Sequence, residues 1–101
     1  MSVVLVSPAQ RANGTSGTEL RLTAAAVQGV VAIYLSVPAA NTGSIYVGDS
    51  DVSTTRGIEI VKGTTLKIEA PEGQVLDIYN MWFDAATTGD KLNVSYLVKV
   101  S

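Results

Sequence analysis

The chain has 101 residues, enough for one hydrophobic core but too few for two independent ones. Charged residues make up only 16% against 47% apolar, the net charge is −2, the seven Lys and Arg are scattered without a cluster, and Cys and His are both absent. That composition excludes a concentrated basic surface for phosphate backbones, a disulfide framework, thiolate chemistry and any Ser-His-Asp arrangement. A domain with so little charge covers itself with Ser, Thr and Asn or hides surface against partners, and Ser and Thr here number 19.

The opening residues, Met1-Ser2-Val3-Val4-Leu5-Val6-Ser7-Pro8, have a four-residue apolar run and no basic residue ahead of it, which is not the pattern of a signal peptide. Nothing along the chain approaches the roughly 18 apolar residues of a membrane helix. A soluble chain made in the cytoplasm, with no membrane and no nucleic-acid partner, is expected. Residues 3–6 read as a short strand. Residues 7–18, rich in Gly and small polar side chains, hold too little apolar area to offset the roughly 1–2 kcal/mol per residue that an ordered backbone costs. They form a flexible arm or loop, which leaves two readings: a surface loop, or an arm that carries Val3, Val4, Leu5 and Val6 onto the sheet edge of a neighbouring subunit.

From residue 19 onward apolar and polar residues alternate. Strands are predicted at 19–23, 27–37, 44–47, 58–61, 66–70, 74–83 and 92–100, with Gly, Asn, Asp and Pro concentrated between them. The run 27–37 is apolar on both faces, as in a central strand, with a bulge or bend expected at Gly29. Lys62-Gly63 reads as a tight hairpin turn with positive φ at Gly63, joining 58–61 to 66–70. In 92–100 the alternation breaks at Leu97, so the outer face is expected to be covered there. Ala39-Ala40-Asn41-Thr42-Gly43 is echoed by Ala85-Ala86-Thr87-Thr88-Gly89, as in corresponding loops of a pseudo-symmetric sandwich or by chance. With residues 1–18 as the arm and 19–101 as the domain, the chain is predicted to be an all-β, single-domain antiparallel β-sandwich, jelly-roll-like, of about eight short strands.

No catalytic, cofactor-binding or metal-binding residue is expected, and the chain is read as not an enzyme. Glu59, Glu69, Glu72, Asp77 and Asp84 fall at alternating strand positions or in turns, where they serve as outward solubilising charges. Gly48-Asp49-Ser50-Asp51 offers oxygens at i and i+2 but lacks the following Glu of a calcium loop. Asp51 is expected to accept from the backbone of Ser53 or Thr54. Met81-Trp82-Phe83 sends large side chains to both faces of a strand, and with Tyr79 it suits core or intramolecular cover, a subunit interface or a sugar-stacking platform. The candidate protein interface is therefore Val3, Val4, Leu5, Val6, Tyr79, Met81, Trp82, Phe83 and Leu97.

The stretch Asn41-Thr42-Gly43-Ser44-Ile45-Tyr46-Val47-Gly48, continued by Asp49-Ser50-Asp51-Val52-Ser53-Thr54-Thr55-Arg56-Gly57-Ile58-Glu59-Ile60, resembles a pattern in small tailed-bacteriophage virion proteins. Gly89-Asp90-Lys91-Leu92-Asn93-Val94-Ser95-Tyr96 is similar to their closing strand. The resemblance implies a capsid decoration (cement) or head-fibre-base protein on the outer capsid surface of a virion. Such a protein binds the major capsid protein and itself, as homodimer or homotrimer, and bridges neighbouring capsid subunits. A tail, neck or baseplate accessory protein and a carbohydrate-binding host-recognition module are the alternative expectations.

Overall fold

The computed structural model describes residues 2–100; Met1 and Ser101, the outermost residues of the expected segments 1–18 and 19–101, lie outside them. Nine strands follow in chain order: β1 (Ser2–Val6), β2 (Arg11–Ala12), β3 (Leu20–Arg21), β4 (Val30–Ser36), β5 (Ile45–Gly48), β6 (Ile58–Ile60), β7 (Thr65–Glu69), β8 (Trp82–Ala85) and β9 (Lys91–Val100). They form two sheets ordered β1-β9-β4-β7 and β3-β8-β5-β6, with β2 continuing the β1 side of β9.

The pairing is nested. β5 pairs with β6, β4 with β7, β3 with β8 and β1 with β9, every pair antiparallel, as if the chain were folded back on itself once at the loop 49–57. Wrapping that doubled ribbon joins β4 to β9 and β5 to β8. The result is the eight-stranded jelly roll that the turn spacing predicts, with β2 as an extra segment.

Alternation decides which side chains fill the space between the sheets. Ile33 and Leu35 of β4, Leu92 and Val94 of β9, Ile45 and Val47 of β5 and Phe83 and Ala85 of β8 are all buried in one cluster. Fully burying a side chain of this size contributes about 1.5–3 kcal/mol, so this layer is the main source of stability.

Several expectations are corrected. The turn at Lys62-Gly63 is tight and Gly63 has φ +82°, but β6 and β7 lie in different sheets. The turn therefore crosses between sheets, pinned by Gly63 N–H donating to the Val37 carbonyl at 2.7 Å. Residues 74–83 do not make one strand: Leu76 forms a single bridge to Val30, Ile78–Asn80 form a 3-10 turn, and β8 starts at Trp82. Asn80 closes that turn through its N–H to the Asp77 carbonyl at 3.2 Å and its Nδ2 to Asp77 Oδ2 at 2.6 Å. The irregularity expected at Gly29, by contrast, is present: Gly29 has φ +75° and the β4 register slips just beyond it, between Val30 and Ala32. In the loop 49–57 the roles are exchanged, since Asp49 Oδ1 accepts from Asp51 N–H at 2.9 Å while Ser53 Oγ accepts from Thr55 N–H.

Residues 7–18 are tied to their own domain rather than forming a free arm. Gly17 N–H donates to Asp84 Oδ1 at 3.0 Å, Ser16 Oγ donates to the Ala85 carbonyl at 2.8 Å, and Asn13 N–H donates to the Asp90 carbonyl at 3.0 Å. Asp84 is accordingly not an outward charge: it is 1% exposed beneath this segment. The echoed loops are neighbours in space. Asp90, just after the second, accepts from Thr42 and Gly43 N–H of the first at 3.0 and 2.8 Å, and Asn41 exchanges two hydrogen bonds with the Lys91 backbone.

Candidate protein-interaction surface

A sandwich has four sheet edges, and each offers unpaired backbone groups unless it is short, charged or covered. Three are blunted here. β3 has two residues, and its Arg21 carbonyl accepts from Arg11 Nη2. β6 has three, with Glu59 accepting from Ser44 Oγ at 2.7 Å. β7 presents Lys67 and Glu69, ion-paired at 2.9 Å, and the Glu69 carboxylate holds the Lys67 ammonium above its usual range. The fourth edge is β1, Ser2-Val3-Val4-Leu5-Val6, which has no charge, no Pro and no bulge.

Pairing with β9 fixes which way the β1 side chains point. Val4 and Val6 lie opposite Val98 and Tyr96, on the side facing the second sheet, while Val3 and Leu5 lie opposite Lys99 and Leu97, on the outer side. Val6 reaches the core cluster. Val4 stays 49% exposed on its face, and Val3 and Leu5 are 50% and 59% exposed on the other.

On the outer side an apolar row runs from β1 to β4, where it ends at the buried Ala32 beside Glu69 of β7. Leu5 opposes Leu97, Leu97 opposes Ala32, and Ala32 opposes Glu69. A shallow groove of about 490 Å³ lies over the Leu97, Ala32 and Glu69 part of this row, with Val3, Val31, Ala32 and Leu97 in its lining and Lys67 and Glu72 among its charged residues. Apolar floor and charged rim are the usual anatomy of a protein interface.

Of the sequence-predicted interface residues, Val3, Leu5 and Leu97 meet on this outer face, and Val4 completes the edge. Val6, the last residue of β1, turns instead toward the core. Tyr79, Met81, Trp82 and Phe83 lie along the 3-10 turn and β8, on the side of the opposite sheet. Phe83 is 0% exposed in the core and cannot touch a partner, which corrects its place in the set. Met81 packs partly buried against the same core. Trp82 and Tyr79 hold Arg21 between them: its guanidinium carbon lies 4.0 Å from the Tyr79 ring centre and 4.4 Å from that of Trp82, and its Nη1 donates to the Tyr79 carbonyl. Of the three readings of this aromatic strand, the contacts are those of intramolecular cover.

Sequence reasoning missed Val31 and Lys99, which line the groove. Parity would have found Lys99: once β1 and β9 are known to pair antiparallel, residues 3, 5, 97 and 99 share a face. Val31 escapes parity because it sits at the register slip in β4. Among the described residues no three Asp or Glu side chains come together to hold a metal ion. No family model, no curated protein and no solved structure matches this chain.

Proposed function

We propose that this chain is a non-enzymatic structural subunit that docks on other proteins through the outer face of its larger sheet. The observation that carries the reading is the half-exposed Val3 and Leu5 beside the partly exposed Leu97 on one outward face, in a chain with so little charge elsewhere. Removing Val3, Leu5 and Leu97 from water against a partner contributes about 25 cal/mol per Å² of apolar area.

The sequence resemblance gives this docking its setting, the capsid surface of a tailed bacteriophage, with the major capsid protein as the partner. A decoration subunit that touches two capsid subunits turns weak contacts into avidity and braces the lattice without a covalent link. The alternative of a host-glycan module has less support, since Arg21 already occupies one face of the Trp82 ring and one face of the Tyr79 ring.

Cosedimentation of the purified protein with DNA-free heads of the encoding phage, and separately with its tails, tests the reading. Saturable binding to heads is expected, weakened at least tenfold by Leu97→Asp with the thermal midpoint little changed. Binding to tails alone would transfer the protein to the tail, and binding to neither would end the virion reading.

A further inference from the structure

We propose that β1 pairs, antiparallel and about a two-fold axis at Val4, with the β1 strand of a second copy of this chain. What an unguarded sheet edge accepts is another strand, because every second residue of β1 directs its N–H and C=O away from β9. Among the described residues no strand occupies that side.

Self-complementarity selects a second copy as the occupant. Centring the pair on Val4 sets Val3 against Leu5 of the second copy, Ser2 against Val6, and Val4 against itself, so all five residues are used. This register is compatible with either backbone parity: Val4 faces its counterpart as a hydrogen-bonded pair, or Val3 and Leu5 do so on either side of it. No charge lies on β1, and the Lys99 side chains of the two copies fall in different rows, so no like charges are forced together. On the outer face, Leu97 and Leu5 of one copy continue directly into Val3 of the other, an apolar row across the seam that ends at Lys99 of that second copy.

Two facing strands of five residues cover less than the roughly 1,000 Å² expected of a permanent interface, so the dimer is reversible. The pairing stands on the edge strand itself and does not require the virion reading. Where that reading holds, the dimer supplies the two docking faces that bridging needs.

The chain lacks cysteine, which permits a direct test. Opposed residues in an antiparallel pair have Cα atoms about 4.5–5.5 Å apart, inside the range of roughly 4.4–6.8 Å that a disulfide spans. Under mild oxidation Val4→Cys is expected to cross-link at least tenfold faster than Glu69→Cys, which lies on the opposite edge. Sedimentation equilibrium of the unaltered chain is expected to pass from one copy to two between micromolar and millimolar concentration. Val4→Lys and Val4→Glu should each remain single, with circular dichroism confirming the fold, and an equimolar mixture of the two should recover the dimer. A chain that stays single at millimolar concentration, or equal cross-linking from both edges, overturns the proposal. A dimer that ignores phage heads leaves it standing while removing the capsid reading, and a single chain that binds heads does the reverse.

Discussion

Asn13 and Asp84, 71 positions apart, meet with both side chains buried and Asn13 Nδ2 donating to Asp84 Oδ1 at 3.1 Å. Around that contact Asn13 also donates to the Thr18 carbonyl and accepts from Thr15 N–H, and Asp84 Oδ1 also accepts from the N–H groups of Gly17 and Ala85. This polar knot, not apolar burial, fastens the segment 13–18 onto the smaller sheet.

The knot is directional, which yields an asymmetric prediction. Asn13→Asp replaces the donating amide with a carboxylate facing Asp84, leaving like charges buried together, and is expected to cost about 3 kcal/mol. Asp84→Asn keeps an oxygen for the three donors and changes only Oδ2, which has no partner, so it should cost less than half as much. Urea denaturation of the two variants checks the order. A smaller loss for Asn13→Asp than for Asp84→Asn would refute the assignment of donor and acceptor.

The glycines give a second contrast. Gly57 has φ +131°, and a Cβ there would lie 2.8 Å from the Val47 carbonyl oxygen and 2.8 Å from Val52 Cγ2. Since the first of these is backbone, Gly57→Ala has no cheap relaxation and is expected to destabilise by about 2–4 kcal/mol. Gly14 has neither a left-handed φ nor a neighbour within 4 Å of the Cβ position. Gly14→Ala should therefore be neutral or stabilise slightly, by up to about 1 kcal/mol, through the unfolded chain. Thermal midpoints of the two variants are the measurement.

These features also show what could be seen in the sequence. The all-β sandwich was visible because half-buried strands such as Leu66-Lys67-Ile68 and Leu92-Asn93-Val94 write their two faces directly as alternation. The break in residues 74–83 was not, because Leu76 and Ile78 keep an apolar parity that a bridge followed by a 3-10 turn preserves; the turn is set by Asp77 and Asn80 side chains instead. Anchoring of residues 7–18 was hidden for a similar reason. Their Ser, Asn and Gly composition reads as loop, whereas the groups that hold them are hydrogen-bonding partners distant in sequence. On the interaction surface, Leu97 was legible as a break in alternation, but its meeting with Leu5 depends on a register that no local pattern records.

Arg21 ties β3 to the aromatic strand, and the chain's single Trp reports on it. Arg21→Ala removes the guanidinium lying over Trp82 and Tyr79 together with its bonds to the Tyr79 carbonyl and Asn80 Oδ1. A red shift of the Trp82 emission, faster acrylamide quenching and a loss of about 1–2 kcal/mol in stability are expected. An unchanged emission maximum would mean that Trp82 takes its shelter from other groups.

Tyr46 and Glu59 make the pH-dependent contact. They are register partners on β5 and β6, with Tyr46 Oη donating to Glu59 Oε2 at 3.4 Å, and burial together with the Glu59 charge pushes the phenol above its ordinary value of 10.0. Because the folded-state pKa is raised, the neutral phenol's contribution is complete below pH 10.0 and is lost as pH climbs through the raised value. Only one of the four Tyr side chains is concerned, so the difference between the alkaline absorbance titrations of the native chain and Tyr46→Phe isolates it. That difference curve should have its midpoint above 10.0. Glu59→Gln removes the charge but not the burial, and should move the midpoint part of the way back. A midpoint at or below the ordinary value in the native chain, or one that Glu59→Gln leaves in place, would show that the carboxylate does not act on this phenol.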